Sequence, residues 1–226
     1  VHLDVRNCLE IVINNEPDYA QAFAVLANVT IDELLYGYNP RPNMTPPLDR
    51  ALAHAQQAVD IDPKSAWAHW ALARTAYYRH NIRLFRTESD RALELAPNDT
   101  LVLAVAGHFL AYSGSWERGM SIMAKAIELN PHHPGWYWLN IANDSFVHGH
   151  FADAVKYVKQ SKMPDYMSSL LTLAAAYGEL GEIRLAGETI AKIRSVSPGY
   201  TIEDFHERAR RWRYPVEYAE RYVRGL

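Results

Sequence analysis

Ala92-Leu93-Glu94-Leu95-Ala96-Pro97 stands 34 residues after Ala58-Val59-Asp60-Ile61-Asp62-Pro63 and 34 residues before Ala126-Ile127-Glu128-Leu129-Asn130-Pro131. Each stretch is the end of an apolar-periodic run, a short acidic or polar step, and a proline. Further along the chain Pro17, Pro164 and Pro198 occupy the same place behind runs of their own, so that the spacings of the six prolines are 46, 34, 34, 33 and 34. Proline lacks an N–H donor and clashes with the preceding turn, which closes a helix at each of these points. Alignment on the prolines brings small residues into register. The eighth position reads Ala27, Ala73, Gly107, Ala142 and Ala174; the twentieth reads Ala51, Phe85, Gly119, Ala154 and Ala186, with Phe85 the one departure; the twenty-seventh reads Ala58, Ala92, Ala126, Ser161 and Ile193. Small side chains let two helices approach closely. Gly114-Ser115-Trp116, Gly149-His150-Phe151 and Gly181-Glu182-Ile183 share a turn pattern of glycine, polar residue and large apolar residue.

A period near 34 with these features is the signature of the tetratricopeptide (TPR) repeat, two antiparallel helices joined by a short turn. The expected fold is all-α, a right-handed superhelical solenoid of helix pairs closed by C-terminal capping helices. Residues 3–17, with Leu3, Val5, Leu9, Val12 and Ile13 at helical spacing, read as a half repeat. Full repeats follow at 20–65, 66–99, 100–134, 135–166 and 167–200, and residues 201–226 as a cap interrupted by Pro215. Because a half repeat lacks its first helix, the chain is expected to be part of a longer protein. The first full repeat is 12 residues longer than the 34-residue period; most of the excess is 38–47, which contains Pro40, Pro42, Pro46 and Pro47 and is expected to form an extended loop.

Composition excludes several functions. A formal charge of -3 over 226 residues gives no bulk attraction to phosphate backbones or anionic membranes, so neither a nucleic-acid nor a membrane partner is expected. The one cysteine, Cys8, lies on the apolar stripe of its helix and is expected to be a small core residue or one that packs on a preceding helix. No glycine-rich phosphate loop, His-Glu-x-x-His, Cys-x-x-Cys or nucleophile elbow occurs, which points away from an enzyme and from any cofactor. His132-His133 and His148-Gly149-His150 lie in turns without convergent ligands, so no metal is expected. The arginines at 208, 210, 211 and 213 read as a solvated face. With no apolar run long enough to span a bilayer, a cytoplasmic location is expected.

The binding surface is expected on the first helix of each pair, where positions two, five, nine, twelve and thirteen would line a concave groove. Position nine forms a line of Asn28, Arg74, His108 and Asn143, donors suited to the backbone or carboxylates of an extended peptide. Trp67, Trp70, Tyr77, Tyr112 and Trp136 would add rigid contact area. The alternative is that the aromatic residues pack between repeats and that Arg74 pairs with a neighbouring carboxylate. The fifth repeat offers only Ser168, Leu171, Ala175, Gly178 and Glu179. With Arg74 its one strong cation, the groove does not look like a chaperone-tail clamp.

Residues 48–226 also resemble the C-terminal TPR region of bacterial adenylate/guanylate cyclase-type regulators and related winged-helix regulators. The resemblance rests on the three stretches quoted above, His132-His133-Pro134 with Trp136-Tyr137, Leu173-Ala174-Ala175-Ala176-Tyr177-Gly178-Glu179-Leu180-Gly181, and the closing Tyr222-Val223-Arg224-Gly225-Leu226. It implies an interaction or regulatory region attached to an upstream cyclase or DNA-binding domain. Three functions are therefore carried forward: a scaffold that binds a peptide or partner domain in the groove, an intramolecular regulatory or sensory region, and a helical repeat that reads single-stranded RNA. Self-association through the first helix stays open.

Overall fold

The structure, a computed structural model, describes residues 1–226 and is built from helices alone: α1 (His2–Asn15), α2 (Ala20–Tyr36), α3 (Pro47–Ile61), α4 (Ala66–Tyr78), α5 (Ile82–Leu95), α6 (Thr100–Tyr112), α7 (Trp116–Leu129), α8 (Trp136–Val147), α9 (Phe151–Gln160), α10 (Met167–Glu179), α11 (Ile183–Val196), α12 (Ile202–Trp212) and α13 (Val216–Gly225). None is long and apolar enough to cross a membrane. The chain divides into two compact units, Val1–Ile122 and Met123–Leu226.

The prolines act through the residue before them. Glu16, Asp62, Ala96 and Ser197 each end a helix with φ between -129° and -136° and ψ between 66° and 89°. That conformation is set by the proline ring, which excludes the preceding residue from the helical region. The next helix is then restarted by a cap: Ser65 accepts from the Ala68 N–H, and Asp99 from the Leu101 and Val102 N–H groups. Within a pair the turn requires a left-handed residue, supplied by Gly114, Gly149 and Gly181 at φ 93°, 81° and 73°. Between α4 and α5 the same place, 34 residues before Gly114, is taken by His80 at φ 63°, and Asn81 caps α5 through Leu84 N–H.

The small positions are where the helices touch. Ala27, Ala73, Ala142 and Ala174 have no exposed surface, nor do Ala51, Ala154, Ala58, Ala92 and Ala126. In the first unit a Cβ on Gly119 of α7 would run into the Gly107 carbonyl oxygen and the Ala111 backbone of α6, so only glycine fits there. Phe85, the exception at the twentieth position, is fully buried edge-on to Tyr77, filling with one ring the space that small residues leave elsewhere.

The apolar stripe of α1 is only partly covered in the first unit. Leu3 and Val5 are 41% and 40% exposed, and Cys8 is exposed rather than in a core. The side chain of α1 that is buried is Arg6, which donates to Glu33 Oε2 of α2 at 2.6 Å. The 38–47 insertion is tied back onto this pair: Asn39 donates to Glu33 Oε1 at 2.8 Å, and Arg41 grips both Glu10 oxygens at 2.6 and 3.0 Å. Its last proline, Pro47, becomes the first residue of α3.

Candidate functional site

In the first unit α2 packs on α4 and α4 on α6, and the position-nine residues of α2 and α4 are joined to each other. Arg74 Nη2 donates to Asp32 Oδ1 at 2.5 Å and Nη1 to Asn28 Oδ1 at 3.1 Å, while its guanidinium lies 6.0 Å and 5.9 Å from the ring centres of Tyr78 and Phe109. Burial opposes the charge, but Asp32 and its hydrogen bond more than compensate and hold the guanidinium above the ordinary arginine value. Asn28 itself donates to the Ala24 carbonyl. His108 packs at 4.6 Å on Tyr112, which in turn packs on Trp116.

The aromatic set separates into two groups. Trp70 and Tyr77 are each 2% exposed and packed edge-on against Phe109, so in this structure they are core residues, and Tyr112 is buried as well. Trp67, His108, Asn28 and the Arg74–Asp32 pair are part-buried and, beside exposed Gln21 and Leu101, reach solvent on this face. A residue that sequence reasoning missed is His69, buried beside this face. Its Nδ1 is 2.6 Å from Glu88 Oε2 and its Nε2 3.0 Å from the Pro63 carbonyl, tying α4 to α5 and to the preceding proline turn.

The second unit treats the same positions differently. Trp136 is half-buried against the Leu139, Ala142 and Val158 core. Asn143 is 9% exposed; its Oδ1 accepts from Tyr222 OH of α13 at 3.0 Å and from Thr172 Oγ1 at 3.3 Å. Arg208, read from sequence as solvated, is instead part-buried, donating to Ser168 at 2.8 Å and lying over Trp212. Its neighbours Arg210 and Arg211 are exposed and pair with Glu203 and Glu207. The signal for these inward contacts was present in the apolar period of Tyr218, Ala219, Tyr222 and Gly225, which are all buried.

No group of three His, Cys, Asp or Glu side chains able to hold a metal is assembled. His133 stacks on Tyr137 at 4.9 Å, and His148 sits against its own Asp144. A hollow of about 330 Å³ lies under the 38–47 insertion, walled by Leu34, Tyr38, Pro42 and Pro47 with Arg50 at its side.

No family model matches the chain. Over 176 residues it is 24% identical to cellulose synthase operon protein C of Pseudomonas fluorescens (strain SBW25); that stretch is 69% of this chain and 13% of the relative's length. Among solved structures it is similar to YrrB, a TPR protein with an unusual peptide-binding site, with a TM-score of 0.53 at 15% identity over 88% of this chain and 96% of that one. The fold is that of a TPR-type helical array. Human IFIT1, solved as a dimer with m7Gppp-AAAA, is also similar, with a TM-score of 0.73 at 19% identity over 99% of this chain and 54% of that one.

Proposed function

We propose that the chain is a non-catalytic, cytoplasmic protein-interaction scaffold that holds an extended peptide or a partner domain on the α2–α4–α6 face of residues 1–122. The observation that carries the reading is the Arg74–Asp32–Asn28 cluster, in which Asp32 and Asn28 are partly exposed, between part-buried Trp67 and His108. A paired cation and anion at a surface give a peptide backbone both a donor and an acceptor, and an aromatic neighbour adds desolvated contact area. The likeness to YrrB supports a peptide as the partner class. No cofactor enters this reading. The regulatory alternative, in which the array acts on an upstream cyclase or DNA-binding domain of the same polypeptide, rests on the sequence resemblance. Single-stranded RNA is favoured by the IFIT1 likeness and opposed by the net charge of -3.

The test compares proteins retained from a native lysate by the immobilised chain with those retained by a Trp67→Ala/His108→Ala variant of equal thermal stability. Truncating an anchor of this kind weakens binding about thirtyfold or more. A polypeptide retained by the first and lost by the second supports the scaffold. Identical profiles remove it, and salt-sensitive retention of RNA by the parent chain alone would replace it with the RNA reading.

A further inference from the structure

Three arginines stand around the 38–47 insertion, and two of them are paired. Arg6 is held by Glu33 and Arg41 by Glu10. Arg50, in the first turn of α3, makes no salt bridge; its Nη1 donates to the Thr45 carbonyl oxygen at 2.6 Å. Three guanidinium groups against two carboxylates leave one positive charge unmatched. Burial, and then repulsion from Arg41 and Arg6, pulls the Arg50 guanidinium below the ordinary arginine value. His54, one turn further along α3, is pushed below the ordinary histidine value by burial and then by Arg50, so it is neutral at pH 7 and leaves the balance unchanged.

The hollow of about 330 Å³ beneath the insertion opens beside this charge. Its walls are already fixed. Asn39 is tied to Glu33, Arg41 to Glu10 and Thr45 to Arg50, so the chain arches over the space from three anchored points. The Tyr38 ring packs on both His2 and Tyr36, at 5.3 and 5.4 Å between ring centres. Leu34, Tyr38 and Met44 line the space and are all exposed, leaving apolar surface uncovered there. Glu33 borders it as well, but Arg6 takes one of its oxygens and Asn39 the other, so it offers no free charge. An apolar cleft of this volume with a single unmatched charged group has the form of a small-molecule site.

We propose that this hollow binds a carboxylate with a compact apolar body, the carboxylate on Arg50 and the body against Leu34, Tyr38 and Met44. The site uses none of the residues of the α2–α4–α6 face and goes beyond that reading. With Nη1 on Thr45, Nη2 and Nε are left for the two oxygens of a carboxylate, which a guanidinium takes side by side. One surplus positive charge suits a monoanion, whereas a phosphate dianion would bring a second negative charge toward Glu33 and Glu10. A free acid and the last residue of a peptide share this chemistry.

Met44 is the one methionine of five that lines the hollow, so its methyl group reports binding to the full chain by NMR. The probe is N-acetyl-leucine, with N-acetyl-leucinamide as its uncharged counterpart. The acid should shift the Met44 methyl saturably, half-way at roughly 1 mM, and leave the other four methionines in place. The amide should bind at least about tenfold more weakly. Arg50→Gln should bring the acid down to the level of the amide and leave the amide unchanged, and Arg50→Lys should recover part of the loss. Leu34→Trp, which fills the space from an exposed position, should abolish binding of both. An unmoved Met44, five methyl groups that move together, or equal binding of acid and amide would each overturn the proposal. So would an Arg50→Gln chain that binds the acid like the parent, or one that loses acid and amide equally, since Arg50 would then only fasten the insertion. The source is separated by 4-methylpentanoate, which lacks the peptide group. Binding as tight as that of N-acetyl-leucine supports the site as one for free acids, and weaker binding supports it as one for peptide ends.

Discussion

The two units use one repeat position in opposite ways. In residues 1–122, position nine of the second repeat is Arg74, which links α4 to α2 through Asn28 and the partly exposed Asp32. In residues 123–226, position nine of the fourth repeat is Asn143, closed over by Tyr222 from the chain's own C-terminal helix. A repeat specifies where a first-helix face lies, whereas the residues beyond the array decide whether that face is available. The difference also separates two kinds of glycine contact. Gly119 against Gly107 sits inside one helix pair, while Gly178 against Gly225 sits between the array and an added helix.

The largest expected effect follows from that second contrast. Gly119→Ala forces α6 and α7 apart at backbone level and should lower the stability of the chain by about 3 kcal/mol in urea unfolding. Gly178→Ala should cost less than half of that and should release α13 alone, as seen by hydrogen exchange. Equal losses would erase the distinction between built-in and added helices. Next comes the polar centre of each face. Tyr222→Phe removes one of the hydrogen bonds to the buried Asn143 Oδ1 and should cost about 1–2 kcal/mol. Arg74→Met leaves Asp32 near water and should cost about 1 kcal/mol. A reversal of that order would mean that the first-unit face is the more tightly closed.

The smallest effect concerns the insertion. Its hydrogen bond from Arg41 holds the Glu10 carboxyl below the ordinary glutamate value of 4.5. A depressed folded-state pKa stabilises above the unfolded value, and that stabilisation is lost as pH falls through the folded one. Arg41→Gln should therefore cost about 0.5 kcal/mol at pH 7, a figure kept low because Glu10 is 35% exposed, and the gap between variant and parent should close as pH drops below about 4. A gap that does not narrow as the pH is lowered would assign the insertion's anchoring to packing instead.

Much of this fold was legible because prolines and alanines act locally. Pro63 and Pro97 set the conformation of the residue before them wherever the rest of the chain goes, and Ala27, Ala73 and Ala142 announce close helices by size alone. The candidate face was less legible, since position in a repeat says which way a side chain starts but not what it meets. Trp70 and Tyr77 occupy groove positions yet end in the core because Phe109 of the next first helix reaches them. Arg6 is buried because Glu33, 27 residues further along the chain, offers a buried carboxylate that no periodicity reveals. The covering of the second face depends on Tyr222 meeting Asn143 across 79 residues, a pairing that spacing cannot indicate. The nearest hint was the run of small residues in the fifth repeat.

The contrast between the two faces is tested most directly by hydroxyl-radical footprinting of the intact chain, with each residue normalised to its rate in the unfolded state. Trp67 and His108 should be labelled readily, and Phe146 and Tyr222 should be protected at least about tenfold, in keeping with exposures of 0% and 3%. Labelling of Phe146 and Tyr222 at the rate of Trp67 would contradict the closed second face and, with it, the division of the array into an available surface and an occupied one.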